Sequence, residues 1–174
     1  MSVDRNHTDH GPRLGSVLWL APACLFAAGV YLWVARIKYV NGRMSLYDLG
    51  VFEQAIWTFL KTGRPTDSIV IPGTIFNWLG FHFSPVVLAA SAIQGFTNSS
   101  FGLVVVQALL VSSAAIPVYR CCRFLQVSKA QSQWIAALML AHPFVFNGAT
   151  WDFHEVAIAT PVLAWAIYWV FIGR

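Results

Sequence analysis

The chain holds seven carboxylates, and four of them fall in two short stretches whose residue types could do chemistry. Tyr47-Asp48-Leu49-Gly50-Val51-Phe52-Glu53-Gln54 carries Asp48 and Glu53. Trp151-Asp152-Phe153-His154-Glu155 carries Asp152 and Glu155 with a histidine between them. A positioned carboxylate can act as a general base, and desolvation near lipid raises its pKa toward a useful range. At about 100° per residue, Asp48 and Glu53 stand about 140° apart on a helix. They are therefore not a paired dyad, and Glu53 reads as a headgroup-facing charge or a binding contact. Asp152 and Glu155 are three apart and share a face if helical, whereas His154 points elsewhere.

Each of these residues also has a plain structural reading. Ser45-Leu46-Tyr47-Asp48 has the spacing of a capping box, with Ser45 as N-cap and Asp48 at the third helical position. Asp152 and Glu155 could open a helix in the same way. His82, Asp152, His154 and Glu155 are of the types that hold a divalent metal. Their spacing matches no metal motif, so no metal ligand is assigned and no soluble cofactor is implied. His82 suits a hydrogen bond at a helix start or the orienting of a carboxylate. His142 lies in an apolar run, where a polar group needs a partner or a cavity. Lys61 and Arg64 suit contacts to a lipid phosphate and serve equally as snorkelling anchors.

The elements that must position these residues are those of a membrane protein. The chain is 57% hydrophobic and only 10% charged, against roughly 25% charged for soluble domains. Eight Trp and thirteen Phe suit membrane–water boundaries. The net charge of +4 reads as basic loops facing anionic lipid, not as a nucleic-acid surface. Three cysteines make no disulfide framework, and Cys121 and Cys122 read as free thiols at a helix end.

Apolar runs predict an all-α integral membrane fold with four spans, over about 14–35, 101–119, 130–147 and 156–172. A polar tail, 1–13, precedes them, and 14–174 forms one membrane domain. The long loop 36–100 holds a predicted amphipathic helix near 46–61, with Leu49, Phe52, Ile56, Phe59 and Leu60 on one face and Gln54, Thr58 and Lys61 opposite. Such a helix would lie in the interface. The run 85–96 is half a span long and suits a re-entrant or surface helix.

With the N-terminus in the cytoplasm, the short basic loop 120–129 is cytoplasmic, as the positive-inside rule prefers. Asp48, Glu53, His82, Asp152, His154 and Glu155 then share the outer side. Counting 85–96 as a span reverses the N-terminus and satisfies the charge rule better. That topology separates Asp48 from Asp152 across the bilayer.

The ordered motifs at Tyr47–Gln54, His82-Phe83-Ser84-Pro85 and Trp151–Glu155, with Gln107 and Pro117-Val118-Tyr119-Arg120 between them, carry a resemblance from about Tyr47 to the C-terminus. The chain resembles a large uncharacterised family of bacterial polytopic membrane proteins, known as a domain of unknown function. That family in turn looks like GT-C type glycosyltransferases, which use polyprenyl-phosphate-linked sugars. The resemblance implies an outer-face site with Asp48 as base, completed by Asp152, His154 and Glu155. It implies substrate contacts at Glu53, His82, Lys61 and Arg64, and the bacterial plasma membrane as the location. It favours the four-span topology. Members are usually longer, so the chain reads as the N-terminal part of such an enzyme, with further helices supplied by another chain. A transporter, with carboxylates and His142 along a path through the spans, and a non-catalytic membrane protein, with carboxylates that merely cap helices, are the other classes.

Overall fold

The computed structural model describes residues 20–71 and 73–173. The tail 1–13 and the start of the first predicted span lie outside them. The described chain is all-α apart from one two-stranded ribbon. Helix α1 spans Leu20–Val40. Its uncharged stretch runs on to Arg36, and its 21 residues reach about 30 Å at ~1.5 Å per residue. Gly42 stops it with φ 63°, and the Arg43 N–H reaches back to the Lys38 carbonyl at 2.8 Å. That left-handed turn is one only glycine adopts without strain.

Ser45 then opens α2, Leu46–Thr62. Its hydroxyl accepts the Asp48 N–H at 3.2 Å, as the capping spacing predicts. Gly63, at φ 74°, ends the helix. The apolar face of α2 differs from its expected place in the interface. Leu49, Phe52 and Ile56 are buried in a core with Ala35, Trp78, Ala90, Leu103, Val104 and Phe153. Neighbouring helices cover this face, which a membrane surface would otherwise have to do. The polar face is used as well. Gln54 exchanges two hydrogen bonds with Ser68, at 2.9 and 3.1 Å, and Thr58 accepts the Thr66 N–H at 2.9 Å.

These bonds pin strand β1, Thr66–Asp67, which pairs antiparallel with β2, Phe76–Asn77. Asn77 caps the single turn α3, Trp78–Phe81, by accepting the Leu79 N–H. Helix α4, Val86–Thr97, is the half-length helix expected near 85–96. Its 12 residues reach about 18 Å.

Helices α5, Phe101–Ser113, and α6, Ala115–Phe124, form one rod of 24 residues. The rod falters at Ala114 because Pro117 lacks an N–H and crowds the carbonyl four residues back, that of Ser113. Proline acts more strongly in the next rod. The span expected over 130–147 is two helices, α7 (Lys129–Ala141) and α8 (Pro143–Thr150). Pro143 forces His142 into extended backbone, φ −64° and ψ 131°. The buried Tyr31 hydroxyl donates to the Leu140 carbonyl beside this break at 2.5 Å. His142 itself is exposed and stacks on Phe144. Helix α9, Glu155–Phe171, carries Pro161 inside it.

Among the described residues two helices are long and apolar enough to cross a membrane, Leu20–Val40 and Phe101–Phe124. Helix α9 is apolar but has 17 residues. Only 28% of the most apolar stretch of α1 is buried inside the protein. Its Leu25, Phe26 and Trp33 face outward, where lipid would cover them. The core is layered along α1. Leu20 and Cys24 pack with Ala115, Tyr119 and Ala136 at one end. Ala35 packs with Leu103 and Phe153 at the other. The motifs of interest gather at this second end. The basic stretch expected as a loop over 120–129 lies at the first; its Arg120 and Arg123 are in the last turns of α6 and Lys129 opens α7, so only 125–128 connect them.

Candidate functional site

The two acidic stretches meet through a backbone hydrogen bond. Asp152 is 2% exposed, and its Oδ2 accepts the Ser45 N–H at 2.7 Å. In a reciprocal capping box that N–H goes to the side chain at the third helical position, here Asp48. Asp152 takes it instead. The Asp48 carboxylate is left to line a cavity. A topology with Asp48 and Asp152 on opposite faces of a bilayer does not describe this fold.

Gln107 holds the second stretch in place. It is fully buried, and its Nε2 donates toward the carbonyls of Gly148, Trp151 and Asp152 at 3.0, 3.3 and 3.2 Å. Its Oε1 accepts the His154 N–H at 2.8 Å. One amide side chain on α5 thus satisfies the backbone where α8 ends and α9 begins, groups that would otherwise be unpaired. Lys38 supports the same corner from α1. Its ammonium donates to the Thr150 carbonyl at 3.1 Å and hydroxyl at 3.3 Å and lies 5.4 Å from the Trp151 ring centre.

Burial raises the Asp152 pKa above its ordinary value, 3.8. The Ser45 N–H opposes that shift, the Asp48 charge adds to it, and Lys38 and His154 lower it. The Asp48 charge is thus near enough to act on Asp152, though less than burial does.

Next to the second acidic stretch lies a cavity of about 300 Å³. Asp48, His82, His154 and Glu155 line it, with walls from Tyr47, Phe52, Trp78 and Phe81. The sequence motifs at 47–54, 82–85 and 151–155 thus contribute to one concavity. Asp152 is not among its lining residues. His154 Nδ1 and Glu155 Oε2 lie 3.3 Å apart, within ion-pair reach, yet neither atom has a directed hydrogen bond. The Trp78 Nε1 is also buried without a partner. His82 stacks on the Trp78 ring, their centres 5.2 Å apart. Among the described residues no three His, Cys, Asp or Glu side chains converge to hold a metal ion.

The remaining candidates lie elsewhere. Glu53 is not on the cavity wall. Lys61 and Arg64 are exposed at the far end of α2. Lys61 is thirteen residues beyond Asp48, about 20 Å along the helix. Lys38, which periodicity alone gives no reason to single out, is the basic residue whose charge reaches Asp152. Trp78 and Asp67 were also not singled out. Asp67 is fully buried, and its Oδ1 accepts the N–H groups of Ile69 and Val70. A carboxylate two residues after Pro65, at a strand end, is a turn signal, and it could have been read as such.

A family model described as a predicted membrane protein (DUF2079) matches residues 43–173. No curated protein and no solved structure matches the chain.

Proposed function

The chain belongs to the DUF2079 family of predicted membrane proteins, whose model covers more than half of it, and from that premise we propose a membrane-embedded, glycosyltransferase-like protein. It acts on a lipid-phosphate-linked sugar at the outer membrane face. One observation carries this reading. A single cavity gathers Asp48, His82, His154 and Glu155 between aromatic walls.

In this account Asp48 takes the proton from an acceptor hydroxyl. The acceptor oxygen attacks the anomeric carbon, and the bond from that carbon to the phosphate oxygen breaks, the phosphate leaving with the electron pair. Asp152 acts from outside the cavity lining. It fixes Ser45 at the start of α2, and its charge lies close to that of Asp48. Glu155 and His154 contact the sugar. Lys38 is better placed than Lys61 or Arg64 to meet a lipid phosphate, since it neighbours Trp151. Four spans, a cytoplasmic N-terminus, the bacterial plasma membrane and a polyprenyl-phosphate carrier complete the proposal. It requires no cofactor and no nucleic acid, and further helices from another chain would pack against the exposed apolar faces.

Membranes from cells expressing the protein, incubated with radiolabelled polyprenyl-phosphate sugars, test it. The account expects transfer by the wild type and its loss in Asp48→Asn, with an unchanged unfolding midpoint. Equal transfer by Asp48→Asn, or none by the wild type with any carrier, would overturn it.

A further inference from the structure

The end of the fold away from the acidic stretches is charged the other way. Among the described residues every carboxylate lies on α2, on β1 or around the start of α9. The sequence from Ser68 to Trp151 contains none. Arg120 and Arg123 on α6 and Lys129 on α7 therefore stand together without a described counter-charge. We propose that this α6–α7 corner seats one anionic phospholipid of the leaflet it faces. Arg123 and Lys129 hold the phosphate, and an acyl chain lies along α7. This rests on the membrane character of the family and is independent of the transferase chemistry above.

The three cations are not equivalent. The Arg120 guanidinium lies 5.3 Å from the Trp165 ring centre and 5.7 Å from that of Tyr168, and these cation–π contacts hold it against α9. Arg123 turns to the connection instead. Its Nη1 donates to the Val127 carbonyl, which uses one donor of the guanidinium fork and leaves the others for a ligand. Lys129, the first residue of α7, is exposed. Val127 and Ser128 line an open hollow of about 700 Å³, so both free cations adjoin its wall.

The hollow has a mixed lining. Gln126, Ser128 and Gln131 can hydrogen-bond, whereas Leu125, Trp134 and Ile135 are apolar and exposed. A soluble anion would use the first set alone and a hydrocarbon the second. A molecule with an anionic head and apolar chains uses both. The order along α7 is that of a lipid: Lys129, then Gln131, then Trp134 and Ile135, then the exposed Leu138. Leu138 is nine residues beyond Lys129, about 14 Å along the helix, close to the half of the ~30 Å hydrocarbon core that one leaflet fills. Trp134, between them and 70% exposed, suits the boundary layer. Two adjacent cations favour a head with net negative charge over a zwitterionic one, whose own ammonium they repel.

Native mass spectrometry of the full chain, released from a neutral detergent, tests this. The probes are phosphatidylglycerol, phosphatidylcholine with the same chains, glycerophosphoglycerol (the head without chains) and inorganic phosphate. One phosphatidylglycerol should stay bound, phosphatidylcholine should be retained at least fivefold less, and neither chainless anion should displace the lipid. Lys129→Gln and Arg123→Gln should each reduce retention about fivefold, the worth of one basic residue at an anionic surface. A cation in the first turn of a helix opposes its dipole, so Lys129→Gln puts no folding at risk and decides the matter even if Arg123→Gln unfolds. Lys61→Gln, at an exposed cation on α2, should change nothing. Equal retention of phosphatidylcholine would assign the hollow to chains alone, and displacement by glycerophosphoglycerol or phosphate would make it a soluble-anion site. An equal loss in Lys61→Gln would mean diffuse charge. Each of these, or full retention by Lys129→Gln, would overturn the proposal.

Discussion

The Asp152 carboxylate accepts the Ser45 backbone N–H at 2.7 Å, joining a loop before α9 to the N-cap of α2 across more than a hundred positions of sequence. The bond relieves Asp48 of half its capping duty. Ser45 still accepts the Asp48 N–H, so the helix start is secured while the Asp48 side chain faces the cavity. A residue whose spacing reads as a helix cap thus becomes available for chemistry through a partner that no local pattern reveals.

That division of labour predicts how Asp152 responds to substitution. Asp152→Ala leaves the Ser45 N–H without its acceptor in a buried setting, at a cost of about 1–3 kcal/mol. Asp152→Asn keeps an acceptor oxygen and should cost much less. Chemical-denaturant midpoints in micelles would separate the two. A similar loss in both variants would mean that the charge, rather than the acceptor, holds the loop.

The raised Asp152 pKa predicts a pH dependence of known sign. Burial favours the protonated form in the folded chain. Between the ordinary value, 3.8, and the raised one, the folded state therefore binds the extra proton. Stability is greatest at the acid end and falls as pH rises through that window. The contribution of this group should vanish in Asp152→Asn, which a pH series of unfolding midpoints for the two proteins would read. Asp48, Lys38 and His154 also act on Asp152, and they remain in both proteins. A slope unchanged by the substitution would assign the effect to them.

Gln107 should behave as a positioning residue. Gln107→Leu fills its volume but abandons three carbonyls and the His154 N–H. About 1–3 kcal/mol is lost for each group that finds no water. Amide exchange at Trp151–Glu155 should rise before exchange in α1 does. Uniform acceleration along the chain would instead mark Gln107 as an ordinary core residue.

Local chemistry explains what could be read from the sequence alone. The Ser45 cap, the period of α2 and the half-length of α4 are properties of neighbouring residues, and the structure keeps them. The break at Pro143 was also locally encoded, since a proline disfavours helical backbone in the residue before it. A continuous apolar run hid it. The cover over Leu49, Phe52 and Ile56, the reach of Asp152 to Ser45 and the four bonds of Gln107 depend on which helices become neighbours, and no periodicity records that. Trp78 went unread for a related reason. Its segment is short and interrupted by glycines, so it carries no pattern, and only its place on the cavity wall draws attention to it.

The most direct test of the central claim, one site built from both acidic stretches on the outer face, is a labelling experiment. Cys24, Cys121 and Cys122 are replaced by Ser, and single cysteines are placed at Arg64 and Gly148, both exposed and the latter with no atom within 4 Å of a new Cβ. Intact cells are then treated with a membrane-impermeant thiol reagent. The account predicts that both positions label from outside. Labelling at only one would contradict the shared face, and labelling at neither until the cells are opened would place the site on the cytoplasmic side, against the proposed chemistry.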